Sequence, residues 1–127
     1  MLEGLNANQS QAAEAVQGPV IVFAGAGSGK TRTLTFRILH MVVNCHIDPH
    51  NILAITFTNK ATNVMKERLG AYKDVNVRAL TISTFHSLCA MILRRDIEYL
   101  GYNRDFNIVD EEEQLKVIGE VVKEAGL

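Results

Sequence analysis

The stretch VIVFAGAGSGKT, Val20 to Thr31, decides the fold. Val20-Ile21-Val22-Phe23-Ala24 is a continuous apolar run, which predicts a strand covered on both faces, as in a parallel sheet. A glycine-rich turn follows, and Thr31 to Val43 predicts a helix with Leu34, Ile38, Met41 and Val42 on one face. Glycines allow backbone conformations that other residues resist, so successive N–H groups can turn inward toward phosphate oxygens. The start of the following helix favours the same anion. In this arrangement Ala24, Gly25, Ala26, Gly27, Ser28 and Gly29 form the cradle, Lys30 reaches the β- and γ-phosphates, and the Thr31 hydroxyl ligates magnesium. Ala24 stands where the strict GxxxxGK[ST] pattern has its first glycine, but the core GSGKT is intact. Binding of a nucleoside triphosphate with Mg2+ is the expectation.

Working outward, Asn6 to Gln17 predicts a helix with Asn6 or Asn8 as N-cap and Gly18-Pro19 as stop. Downstream, Ile52 to Thr56 predicts a second strand, and Lys60 to Leu69 a helix closed by Gly70. Val77 to Ile82 predicts a third strand, and Phe85 to Leu100 a helix stopped by Gly101. A last helix, Glu111 to Ala125, carries Leu115, Ile118, Val121, Val122 and Ala125 at helical spacing. The alternation implies βαβ crossovers: an α/β, P-loop NTPase fold with a parallel sheet flanked by helices. The chain stops after a helix, with no final strand to complete a larger sheet, and so reads as unfinished.

At 127 residues and 47% apolar, the chain fits one domain with a reasonable core, and 21% charged residues argue against widespread disorder. A formal net charge of −1 gives no bulk positive field, so binding to nucleic acid would need local contacts. No apolar run approaches a membrane span, and MLEGLNANQ lacks the regions of a signal peptide, which points to a cytoplasmic protein. Cys45 and Cys89 show no CxxC spacing and read as free thiols. The segment CHIDPH gathers Cys45, His46, Asp48 and His50, residue types that bind metals. Its spacing matches no zinc pattern, and Pro49 favours a connecting loop.

A phosphate loop alone does not separate kinases, GTPases, transporters and helicases. LNANQSQA, FAGAGSGKTRTL, ILAITFTNKATNVMKERL and TISTFHSLCAMILRR resemble, in order and spacing, the N-terminal motifs of UvrD/PcrA/Rep-type superfamily 1A DNA helicases. That resemblance covers nearly the whole chain and implies part of a RecA-like motor domain, with ATP and Mg2+ as cofactors. It places Gln9 as the Q-motif glutamine that reads the adenine edge, a task suited to an amide that donates and accepts. Arg32 takes the position that packs against the adenine ring. TFTNKA (Thr56 to Ala61) matches motif Ia and TFHS (Thr84 to Ser87) matches motif Ib, whose loops line a single-stranded DNA track. Phe57, Thr58, Asn59, Lys60, Thr84, Phe85 and His86 are the implied DNA contacts, an aromatic stacking on a base and the others meeting phosphate or sugar. Taken without the motifs, Phe57 and Phe85 read as core packing. Thr62 and Val64 depart from the family's usual alanine and glutamate.

FNIVDEEEQ, Phe106 to Gln114, imitates the acid box that holds magnesium in such motors. The run before Asp110 is short and interrupted by Asn107, and Gln114 falls one residue late for DExQ. Asp110 with Glu113 has capping-box spacing at the start of an amphipathic helix. The stretch therefore reads as a helix start. The resemblance implies residues 1–105 as motor domain and residues 106–127 as the start of an inserted helical subdomain. The parent would translocate 3′-to-5′ on single-stranded DNA and act at duplex junctions, while this chain lacks the acid box and the second motor domain. The competing readings are a compact P-loop kinase or other NTPase, and a nucleotide- or DNA-binding module without catalysis.

Overall fold

The computed structural model describes residues 4–126; residues 1–3 and 127, the outer ends of the two expected domains, lie outside them. Helix α1 (Ala7–Glu14) is followed by the glycine-rich loop and helix α2 (Lys30–Val43). Strand β1 (Leu53–Thr56), helix α3 (Asn59–Gly70) and strand β2 (Thr81–Thr84) then form a βαβ unit, and helix α4 (Phe85–Asp96) leaves β2 directly. Short 3-10 turns occupy Pro49–Asn51 and Ile97–Leu100, and helix α5 (Glu111–Glu124) comes last. The strands run parallel, in a register that pairs Leu53 with Thr81 and Thr56 with Thr84.

Two compact units divide at Leu88/Cys89. The first holds the core: Ile38 and Leu39 of α2, Ile52 and Ala54 at β1, Met65 and Leu69 of α3, Ile82 of β2, and Val75 and Leu80 from the turns between. Burial alternates along both strands, with Ala54, Thr56, Ile82 and Thr84 turned inward. Met65 and Leu69 sit one helical turn apart and are fully buried, each worth roughly 1.5–3 kcal/mol by transfer. On α2 the buried stripe is Thr35, Ile38 and Leu39; Leu34, expected in it, is exposed.

The alternating α/β order appears with one parallel strand pair, which corrects the sequence reading in two places. The run Val20 to Phe23 is outside the sheet, with Ile21 81% and Phe23 94% exposed. An apolar run shows that a segment suits burial on both faces, but only hydrogen-bonded neighbours make it a strand. Among the described residues, none pairs with it. The expected strand Val77 to Ile82 lies later, at Thr81–Thr84, because residues 72–80 make tight turns closed by Val75 N–H to Tyr72, Ala79 N–H to Asn76 and Leu80 N–H to Val77. Val75 and Leu80 still reach the core from those turns, so burial did not require extended backbone.

Helix ends follow local chemistry. α1 stops at Glu14, short of the expected Gln17. α3 runs through Gly70 and is capped by Ala71, so Gly70 does not close it. Gly101 takes the left-handed conformation (φ 80°) that ends the Ile97–Leu100 turn. In the second unit, Arg94 stacks over the Phe106 ring at 4.8 Å. Residues 106–109 form no strand, and Asp110 caps α5. Its carboxylate accepts from Glu113 N–H (2.9 Å), while Glu113 accepts in return from Asp110 N–H (3.2 Å). FNIVDEEEQ is thus a helix start. Leu115, Ile118, Val121 and Val122 on α5 are exposed.

Candidate functional site

Gly27 (φ 74°) and Gly29 (φ 86°) both adopt left-handed backbone, which only glycine takes readily; here they turn the loop into α2. Gly29 serves as the N-cap of α2 without a capping side chain, leaving the first N–H groups of a 14-residue helix facing the loop. Ser28 closes the turn, its N–H and hydroxyl both donating to the Gly25 carbonyl at 3.3 and 2.7 Å. The Lys30 ammonium donates to the carbonyls of Ala24 (3.1 Å) and Gly25 (2.8 Å), which fixes a cation over the loop. Thr31 follows in the first turn of α2, half-buried. Exposed Ala26 completes the loop.

Gln9 joins this loop from a separate helix. Asn6 caps α1 by accepting from Gln9 N–H (2.9 Å), and Gln9 Oε1 accepts from Asn6 N–H (3.0 Å). That reciprocal box fixes which way the amide faces: Oε1 toward Asn6, Nε2 toward the loop, where it donates to the Ser28 carbonyl at 2.9 Å. Among the described residues, one N–H and one lone pair of the amide remain for a further partner. A Cβ on Gly29 would stand 3.0 Å from Gln9 Nε2 and 4.0 Å from Arg32 Cβ, so Gln9 and Arg32 flank the same glycine. The Arg32 guanidinium lies 5.9 Å from the Phe36 ring centroid and packs so close to Gly4 that a Cβ there would collide with it. A cavity of about 550 Å³ opens between α1, the loop and α2, lined by Asn6, Gln9, Ser28 and Lys30 together with apolar Val20, Val22 and Leu34. A fixed cation, a helix N-terminus and an aimed amide beside an apolar wall suit a ligand with an anionic end and a planar polar end.

One residue reaches this region without any signal in the motifs. Arg37 donates to the Ala12 carbonyl of α1 at 2.8 Å, and its spacing of seven from Lys30 puts both on one face of α2. Asn6, whose capping role was legible, also sets the Gln9 amide.

The other candidates gather at the C-terminal ends of the strands. Register pairs Thr56 with Thr84, so the next residues, Phe57 and Phe85, emerge side by side with ring centroids 5.3 Å apart and planes tilted by 49°. Phe57 is 88% exposed, which removes the core-packing alternative for it. Thr58 caps α3 through Ala61 N–H; Asn59 and Lys60 follow it and are exposed, as is His86, which follows Phe85. Thr84 is buried, its hydroxyl accepting from Ser87 N–H and bonded to the Ser87 hydroxyl at 2.9 Å. The structure thus uses Thr84 to hold the loop. Thr56 spends its one hydroxyl proton on the Thr58 carbonyl, so Thr62 must be the donor in the buried 2.6 Å bond between Thr56 and Thr62. The departure Thr62 therefore braces the loop that carries Phe57. None of these residues lines the cavity at α1 and α2.

CHIDPH is a connection: Asp48 accepts from His50 N–H and caps the Pro49–Asn51 turn. Cys45 and Cys89 are free and exposed. Among the described residues, no helix is long and apolar enough to cross a membrane.

Comparison with known proteins follows the same line. The family described as UvrD/REP helicase N-terminal domain matches residues 5–127. The chain is 50% identical over all 127 residues to the ATP-dependent DNA helicase PcrA of Bacillus subtilis, and 46% identical over 123 residues to PcrA of Staphylococcus aureus. It is 45% identical over 123 residues to PcrA of Staphylococcus epidermidis. In each case it covers 97–100% of this chain but 17% of the relative's length. The chain belongs to the UvrD/REP helicase N-terminal domain family.

Proposed function

We propose that this chain is the N-terminal part of the first RecA-like motor domain of a cytoplasmic, ATP-dependent DNA helicase that moves 3′-to-5′ on single-stranded DNA and opens duplex at junctions. Residues 1–105 form the motor part and 106–127 begin a helical insertion. The observation that carries the nucleotide half is the Gln9 bridge: an amide whose orientation is set by Asn6 meets the loop that Lys30 spans. In this reading the residues Ala24 to Gly29 cradle the phosphates, Lys30 neutralises them, Gln9 reads the adenine edge and Arg32 packs on its ring. The donor set fits Mg2+–ATP, since loop N–H groups and an ammonium suit phosphate oxygens and the Thr31 hydroxyl suits a hard cation. Bound magnesium would neutralise charge on the phosphates.

The paired Phe57 and Phe85 rings, exposed beside Asn59, Lys60 and His86, form the DNA platform of the proposal. Thr58 and Thr84 shape the two loops. Hydrolysis also needs acids that hold magnesium and position water, and Asp110 and Glu113 are committed to a helix cap. The chain by itself therefore binds ATP and turns it over slowly or not at all, the acids lying in the remainder of a longer protein. Exposed Ile21, Phe23 and Leu53 agree with further layers belonging to that remainder.

Titration of Mg2+–ATP and single-stranded DNA into the chain tests both halves. ATP binding that falls at least about tenfold in Lys30→Ala, with turnover at background, is expected. No ATP binding would overturn the nucleotide reading. DNA-stimulated turnover lost in Lys30→Ala would overturn the assignment of hydrolysis to residues elsewhere.

A further inference from the structure

Helix α1 ends at Glu14, so the carbonyls of its last turn have no partners within the helix. The Gln11 carbonyl takes Ala15 N–H and the Glu14 carbonyl takes Val16 N–H. The Ala12 carbonyl takes a cation from another helix, the Arg37 guanidinium of α2, 25 residues away and 2.8 Å distant. α1 carries no basic residue in its own last turn, so Arg37 supplies the charge that its dipole favours there. Gln9 precedes Ala12 by three residues and therefore shares its face. The helix is tethered twice along this face, at Gln9 to the Ser28 carbonyl and at Ala12 to Arg37. Arg37 also lines the cavity with Lys30 and Leu34.

We propose that Arg37 is a positioning residue for base recognition, holding α1 so that the free N–H and lone pair of Gln9 face the nucleotide base. The inference rests on the proposed role of Gln9. Its consequence is selective. Without the Arg37 tether, α1 pivots about the Gln9–Ser28 bond and the amide loses its aim, while the loop glycines and Lys30, anchored in α2 and its own turn, stay in place. Contacts to the base weaken and contacts to the phosphates do not. A purely structural role would weaken both together.

The test compares ATP with inorganic tripolyphosphate, which has the charge and no base, as ligands of the full chain. Arg37→Ala should weaken ATP about fivefold, the scale of one lost interaction, and leave tripolyphosphate within about twofold of wild type. Arg37→Lys, which keeps the charge at the helix end, should recover most of the ATP affinity. Hydrogen exchange of the α1 amides should speed up in Arg37→Ala. Equal loss of both ligands, or unchanged ATP affinity, would overturn the proposal. If Arg37→Ala does not fold, Arg37→Gln carries the same comparison under the same criteria. A wild-type chain that binds ATP no better than tripolyphosphate overturns the Gln9 reading and this inference together. ATP preference lost in Gln9→Ala but kept in Arg37→Ala removes the inference alone.

Discussion

Helices α1 and α5 begin with the same device. In each, a polar N-cap (Asn6 or Asp110) accepts from the N–H three residues on, and the side chain there (Gln9 or Glu113) accepts from the N-cap N–H. Their consequences differ. Gln9 has an amide N–H left over, and it reaches the Ser28 carbonyl, 19 residues away in the glycine-rich loop. Glu113 is a carboxylate, an acceptor with no proton to give, and its helix start lies in an exposed acidic run beside Glu111 and Glu112. One box aims a side chain at a distant loop; the other only starts a helix. A capping box is a local arrangement, and what it does beyond starting a helix depends on the chemistry of the third residue and on what the fold brings opposite it.

Exchanging the two third residues tests this contrast. Gln9→Glu keeps the acceptor for Asn6 N–H but puts an oxygen against the Ser28 carbonyl and a negative charge near the proposed phosphates. ATP affinity should fall by about tenfold or more, with α1 still helical by circular dichroism. An unchanged affinity would make the amide bridge irrelevant to binding. Removing the cap of the other helix should act on folding instead: Asp110→Ala should cost about 1 kcal/mol in helix α5, read as a lower helical signal on melting, with ATP affinity unaltered. The smallest effect belongs to Glu113→Gln, which preserves the reciprocal bond; stability should stay within about 0.5 kcal/mol and ATP affinity should not move. A loss of ATP binding there would return FNIVDEEEQ to candidacy as an acid box.

What the sequence disclosed and what it withheld divide along the range of the interactions. The glycine turn, the start of α2 (expected at Thr31, found at Lys30) and the Asp110 cap are decided within a few residues, and all were legible to within a residue. The role of Val20 to Phe23 was not, because pairing is non-local and an apolar run does not name its neighbours. The shift of β2 to Thr81–Thr84 has the same origin: register with β1, and not the apolar content of residues 77–80, selects the strand. The Phe57–Phe85 contact follows from that register, since parallel strands ending level at Thr56 and Thr84 release both rings together. Arg37 escaped notice because its partner is a backbone carbonyl on another helix, which leaves no mark in the residue pattern.

In the proposed function, Gln9, aimed by α1, makes this loop a site for adenine nucleotides. The direct measurement is the affinity of the chain for ATP and for UTP, in wild type and in Gln9→Ala. Wild type should prefer ATP, and Gln9→Ala should lose that preference by weakening ATP about fivefold while UTP stays the same. Equal weakening of both nucleotides, or no preference in the wild-type chain, would contradict it.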